Sequence, residues 1–301
     1  MGEPSSNAPD ILAFVDEAGE RGFVRDLSPE RDDLVSVLCA IPVPSEHLDC
    51  LRDELRPLYD RFKEAAPGGA KLHITDAFKP GNEEWRTVAE QVRKELFSKM
   101  HEMQVILIYV ARRCRVARQM FETMDDARQQ MMSKRRSSVK IVGANRPSDE
   151  KIEDDLMKSL ALMLDAFAED ASRQHVDIFF DEIDTEVAKR YESSLGSTRH
   201  ISGSVSLVRG WDSRTKEKVE GQVAISVETP IRLDSKFLGT ISVVGKDDPL
   251  IFAVDIVANS LWRHLSSLAT NTALNNRTSV TGWDLENLVW AKDAPNNFDL
   301  F

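Results

Sequence analysis

Three stretches of this chain put carboxylates where an apolar core is being built. Ile11–Val15 is a run of five apolar residues that passes straight into Asp16 and Glu17, ahead of the small residues Ala18 and Gly19. Far downstream, Ile178, Phe179 and Phe180 pass into Asp181 and Glu182 in the same way. Asp255, flanked by Val254 and Ile256, is the lone charge in the apolar segment Pro249 to Leu261. Short apolar runs of this kind read as buried strands, and the last segment as a buried helix. Burying an unpaired carboxylate costs on the order of several kcal/mol or forces it neutral, so each acid needs a partner. If Asp16 and Asp181 lie side by side at strand ends and the Asp255 helix packs across them, three like charges converge. A divalent cation between them relieves the repulsion. Neighbouring side chains of a strand point to opposite faces, so Asp16 and Glu17 share a site only where the chain turns. The aspartates are therefore the first choice as ligands, with Glu17 and Glu182 second. The alternative is structural: strand-end acids cap turns, and Asp255 pairs with an Arg or Lys.

A metal held by carboxylates can activate water against a phosphodiester, and other residues then become candidates for the same chemistry. The segment Lys71-Leu72-His73-Ile74-Thr75-Asp76 offers His73 to carry a proton to a leaving group and Asp76 as a fourth carboxylate for a second metal. Lys246, just before the apolar helix, is placed to position water or contact a phosphate. A polar connecting loop, with Asp76 exposed, accounts for the same residues without chemistry.

The elements that must position these residues alternate between strand and helix. Ile11–Val15 and Leu34–Val43 read as strands joined through the polar turn between them, most simply as a hairpin. Ser45 is an N-cap candidate for a helix with Leu48, Leu51, Leu55, Leu58 and Phe62 at helical spacing and Pro57 within it. A second amphipathic helix follows from Asn82, and Gln104–Ala111 reads as a third strand. A long helix over 149–170, acid-rich at its N-terminal end where the helix dipole favours negative charge, leads into the strand Val176–Phe180. A helix from Thr185, strands near 203–208, 221–229 and 239–245, and the apolar Asp255 helix complete a mixed α/β pattern. The last residues read as a short helix near 284–291 and a loose tail.

The chain has 301 residues and 42% hydrophobic content, enough for one substantial core. Its polar first ten residues are no signal segment, and no apolar run approaches the roughly 20 residues of a membrane span, which predicts a cytoplasmic protein without membrane contact. Cys39, Cys50 and Cys114 have neither disulfide-framework nor zinc spacing. The net charge is -11, yet it is unevenly spread. Between Arg112 and Arg146 lie ten basic residues against three acids, so a basic insertion interrupts an otherwise acidic chain. Arg112, Arg113, Arg115, Lys134, Arg135, Arg136 and Lys140 are candidates for binding a nucleic-acid backbone; a solvated helix face would look the same.

"FVDEAGERGF" resembles the opening signature of a bacterial family catalogued as domain of unknown function 3800, with Ala18 in place of the usual Ser. "VGKDDPLIFAVDIVANSL" resembles its closing motif: Lys246, Pro249 and Asp255 match, and Val254 replaces the usual Ala. "KLHITDAF" and "FFDEID" stand where that family has a polar segment with His and a strand ending in Asp. The resemblance covers Ile11 to about Leu265, outside the basic insertion. It implies a ribonuclease-H-like fold that binds Mg2+ or Mn2+ through carboxylates on a first strand, a later strand and a closing helix.

The sequence thus predicts an α/β protein with a ribonuclease-H-like mixed sheet flanked by helices. A leader of residues 1–10, one domain over 11–283 with a basic insertion at about 112–148, and a C-terminal helix and tail over 284–301 make up the chain. The predicted function is a metal-dependent phosphodiesterase, a nuclease acting on DNA or RNA, in a setting such as a bacterial defence or mobile-element system. Asp16, Asp181, Asp255, Glu17, His73 and Lys246 are its catalytic candidates, and Asp16, Asp181, Asp255 and Asp76 its metal ligands. The alternative is a non-catalytic subunit of the same fold that docks nucleic acid or a protein, with the tail "NNFDLF" as a docking peptide. The departures at Ala18 and Val254 leave room for it.

Overall fold

The structure, a computed structural model, describes residues 10–22, 28–119, 122, 123, 126, 130, 139–141, 151–199, 205–224, 235–272, 274 and 289. Its centre is a mixed five-stranded sheet in the order β3-β2-β1-β5-β8, formed by β1 (Ile11–Gly19), β2 (Val35–Pro44), β3 (Ile108–Arg113), β5 (Val176–Phe180) and β8 (Leu238–Val243). β1, β2 and β3 are successive antiparallel neighbours, so the expected hairpin forms. β5 and β8 then add parallel to β1 on its other side. A separate antiparallel sheet, β4-β6-β7, joins β4 (Val139–Ile141), β6 (Val205–Asp212) and β7 (Glu217–Ala224).

Helices cover both faces of the main sheet. One face carries α1 (Leu48–Glu64), α3 (Glu83–Glu102) and α6 (Pro249–Ser267), and the other carries α4 (Ile152–Asp170) and α5 (Thr185–Thr198). The short α2 (Ile74–Ala77) lies beside α3 and α6. This layering explains why β2 reads as an unbroken apolar run. Val37, Cys39 and Ile41 enter the α1/α3/α6 core while Leu38 and Ala40 enter the α4/α5 core. The same alternation runs along β1, where Leu12 and Phe14 face α6 and Ile11, Ala13 and Val15 face α4. Phe62 packs among Trp85 and Phe252 with ring centroids 5.0 Å apart in each pair, locking α1 to α3 and α6.

Several elements differ from the sequence expectation for identifiable reasons. β1 does not stop at Val15: it runs on to Gly19 against β2, while its pairing with β5 ends at Val15↔Phe180. Asp16 is thus inside a strand, at the point where the parallel neighbour leaves off. β3 begins four residues later than expected, because Gln104 turns the chain with φ of 53° after α3, and it extends through Arg112 and Arg113. Those two arginines pair with Ser36 and Val35 in the ladder and belong to the sheet, not to an insertion. Ser45 opens a 3-10 turn, and α1 proper starts at Leu48. β7 starts at Glu217, ahead of the expected Gly221. Val289, within the expected C-terminal helix, instead makes a parallel bridge to Leu107. Residues 1–9 of the leader, the tail "NNFDLF", Lys134, Arg135 and Arg136 lie outside the described residues. Among the described residues no helix is long and apolar enough to cross a membrane.

Candidate functional site

Strand order reverses direction of growth at β1, with β2 added on one side and β5 on the other. In open α/β sheets a crevice forms outside the carboxyl ends of strands at such a switch. Here it is a cleft of about 560 Å³ whose walls include Asp16, Glu17, Asp181, Glu182, Asp255, His73 and Lys246. The three aspartates proposed from sequence therefore meet in one place, together with four of the other candidates.

Asp16 follows the alternation of β1 onto the α6 face, where it shares the cleft with Asp255 and the two carboxyl groups act on each other's charge. Burial, then the Asp255 charge, pushes the Asp16 carboxyl well above the usual range. Asp255 is also raised, by burial, although the Ile74 backbone N–H donates to its Oδ2 at 2.7 Å and His73 Nδ1 stands 4.0 Å from its Oδ1. Like charges at one buried place disfavour the doubly ionised pair. Asp255 is met by the Ile74 amide, the His73 imidazole and the Asp16 carboxyl, and its charge also acts on the buried Arg93. Cys39, opposite Asp16 in the β1–β2 ladder, has its thiol pushed up by burial and then by Asp16.

Asp181 closes the cleft from the end of β5. Its Oδ1 accepts the Glu182 N–H at 2.6 Å, and its Oδ2 lies 3.6 Å from Lys246 Nζ. Lys246 in turn stands 3.1 Å from His73 Nε2, so lysine, histidine and two aspartates form a continuous polar chain. Among the described residues, no group of three His, Cys, Asp or Glu side chains is arranged to hold a metal ion.

Glu17 points the other way. It pairs with Arg21 at 2.9 Å, and burial raises its carboxyl, with Glu153 and Asp181 adding to the effect. Glu153 on α4 is ion-paired with Arg190 of α5, which also lies 3.2 Å from Asp154. The Tyr191 hydroxyl, buried between these acids, has no hydrogen-bond partner among the described residues, and burial raises it strongly. Glu153 was hidden in the sequence because an acidic first turn is explained by the helix dipole alone.

Other candidates are placed elsewhere. Asp76, expected as a fourth metal ligand, is not among the cleft-lining residues and is paired with Lys79 one turn on in the same segment. Arg112 donates to Asp155 on α4 at 2.5 Å, and Arg113 to the carbonyls of Leu268 and Ala269 at 3.1 and 3.0 Å. Arg115 donates to the Thr270 carbonyl and Arg118 to Asp32. At the start of the basic run, expected to form a nucleic-acid track, Arg112 and Arg113 are buried and engaged within the fold, and Arg115 is tied to the end of the α6 segment. Of Lys140 the backbone is described, within β4. Asn259 and Trp262 on α6 also line the cleft, although sequence reasoning passed over them. Their signal was present as spacing, since 255, 259 and 262 fall on one helical stripe.

Compared with known proteins, the chain matches no family model, no curated protein and no solved structure.

Proposed function

We propose that this cleft is the active site of a divalent-metal-dependent phosphodiesterase, a nuclease acting on DNA or RNA, built on a ribonuclease-H-like sheet. The observation that carries this reading is the convergence of Asp16, Asp181 and Asp255 on one cleft from a first strand, a later parallel strand and a closing helix. That distribution is the one implied by the resemblance to the domain of unknown function 3800 family.

The donor chemistry fits the ion. Asp16, Asp181 and Asp255 are hard oxygen donors, and they are the residues that would hold Mg2+ or Mn2+. Six acids line the cleft, Asp16, Glu17, Glu20, Asp181, Glu182 and Asp255, against Arg21 and Lys246 as the permanent cations. Such a cleft repels a phosphodiester until positive charge is added, and it concentrates cations. When bound, the metal supplies Lewis acidity toward the phosphate and lowers the pKa of water. The chain's own residues then divide the remaining work. The raised Asp16–Asp255 pair retains or releases a proton, Lys246 compensates charge beside Asp181, and His73, within reach of both Lys246 and Asp255, moves a proton at its ring nitrogens.

The test is a cleavage assay on single-stranded DNA, double-stranded DNA and RNA with Mg2+, Mn2+ or chelator. Cleavage that needs metal and collapses to the chelator background in Asp16→Asn and Asp181→Asn supports the reading. The non-catalytic reading draws on one observation, the Lys246 contact that occupies Asp181. It requires nucleic-acid or protein binding with no metal-dependent cleavage. The part played by Arg135 and Arg136 is tested separately: replacing both with Ala should weaken nucleic-acid binding and flatten its salt dependence while cleavage chemistry persists.

A further inference from the structure

We infer that the α6 end of the cleft is a subsite for one unpaired nucleobase, read by Asn259 and stacked by Trp262. The inference rests on the cleft's being a nucleic-acid site, and it adds what part of the substrate is recognised.

Asp255, Asn259 and Trp262 are spaced four and three residues apart, so they form one stripe of α6 facing the cleft, while most of the helix from Pro249 to Leu261 is buried in the core. Asn259 is 4% exposed and lines the cleft, and its Oδ1 is buried with no hydrogen-bond partner among the described residues. A buried acceptor left unmet is costly and is retained where a ligand or water completes it. The last torsion of an Asn side chain is broad, so the carboxamide can turn to meet a group entering the cleft. A carboxamide offers one acceptor and one donor side by side, the complement of an adenine N6–H and N7 edge. Aspartates ligating a cation would have no use for it.

One turn further along, Trp262 supplies the π-face. The backbone of Gly19 lies directly against its indole: a Cβ on Gly19 would stand 2.8 Å from the Trp262 ring and 2.0 Å from the Val35 carbonyl. Gly19 also has φ of +101°, so its missing side chain and its conformation together fix how closely strand and ring approach. Leu34, 43% exposed, completes an apolar edge. These groups differ in character from the polar chain of Lys246, His73 and Asp181 in the same cleft. A base between Asn259 and Trp262 with its phosphate toward the carboxylates uses both. A base reaches such a slot only when unpaired, since a duplex keeps its faces stacked.

The experiment uses the full chain and a probe without phosphate, so that it does not depend on metal. Adenosine and ribose are compared by equilibrium dialysis in chelator, with the wild type, Asn259→Leu, Trp262→Ala and Asp181→Asn. The expected result is adenosine binding at least about tenfold tighter than ribose, the advantage lost in the first two variants and kept in the third. Asn259→Leu removes an unmet acceptor and should melt no lower than the wild type, which separates lost binding from lost folding. Equal binding of adenosine and ribose, or an advantage that survives both α6 substitutions, overturns the subsite. Competition by AMP alone places the base in a free nucleotide, and competition by a short oligo(dA) strand but not by its duplex places it in a single strand. Base binding without any metal-dependent cleavage would leave this subsite standing while the phosphodiesterase reading falls; cleavage by a protein indifferent to adenosine would do the reverse.

Discussion

Asp16 on the first strand and Asp255 on the last described helix line the same cleft, and each carboxyl group acts on the other's charge. The interaction joins two acids that burial already pushes toward the neutral form. Under the proposed function it makes the pair a place where a proton and a cation would compete.

Asp255→Asn tests what the interaction is for. Asparagine keeps the shape and can still accept from the Ile74 N–H. In chelator the variant should therefore stay within about 1 kcal/mol of the wild type by denaturant unfolding. Under the metal-dependent reading Mg2+ or Mn2+ should stabilise the wild type and should no longer stabilise the variant. A loss of about 3 to 5 kcal/mol in chelator, with the metal effect preserved, would mean that the acid is a structural partner.

The raised Asp16 carboxyl also sets a pH dependence. Its proton is released at a higher pH in the folded protein than in the unfolded chain. Between the ordinary Asp range and that raised value the folded state holds more protons, so stability falls as pH rises. The slope from one such proton is at most about 1.4 kcal/mol per pH unit. Unfolding measured across this window in chelator should show a steeper decline for the wild type than for Asp16→Asn, and parallel curves would remove the argument.

Arg112 and Asp155 form a pair with side-chain exposures of 8% and 16%, too buried for either to lose its partner cheaply. Arg112→Leu should cost about 3 to 5 kcal/mol by leaving the carboxylate uncompensated. Replacing Asp155 with Leu as well should recover much of that loss. If Arg112→Leu instead leaves stability unchanged and weakens nucleic-acid binding, the arginine belongs to an electrostatic track after all.

Gly19→Ala should be costly, because its φ of +101° disfavours any side chain by about 1 to 3 kcal/mol and the added carbon meets a backbone carbonyl. Gly196 in α5 is the control: nothing lies within 4 Å of a Cβ there, and Gly196→Ala should stabilise by about 0.5 kcal/mol. Thermal unfolding of the two variants beside the wild type measures the contrast.

The sequence by itself determined the apolar framework and where it is broken. The alternating or continuous apolar runs of β1, β2 and β5 and the near-uniformly apolar α6 are consequences of burial on two faces, and burial is written in residue type. For the same reason Asp16, Asp181 and Asp255 were visible as charges in elements that have no other reason to carry them. Tertiary structure alone decided how these positions combine. Nothing local distinguishes Arg112 on a solvated surface from Arg112 on a central strand facing Asp155, because the partner lies on α4. Asp76 and Asp181 are equally acidic in sequence, and it is the placement of the cleft beside Asp181 that separates them. Glu17 and Asp16 are adjacent, yet the pleat sends one to α6 and the other toward α4. Asn259 became informative only when packing left its oxygen without a donor. Hydrophobic periodicity is set by near neighbours in the chain, whereas a charge or a carboxamide takes its role from groups that only the fold brings near.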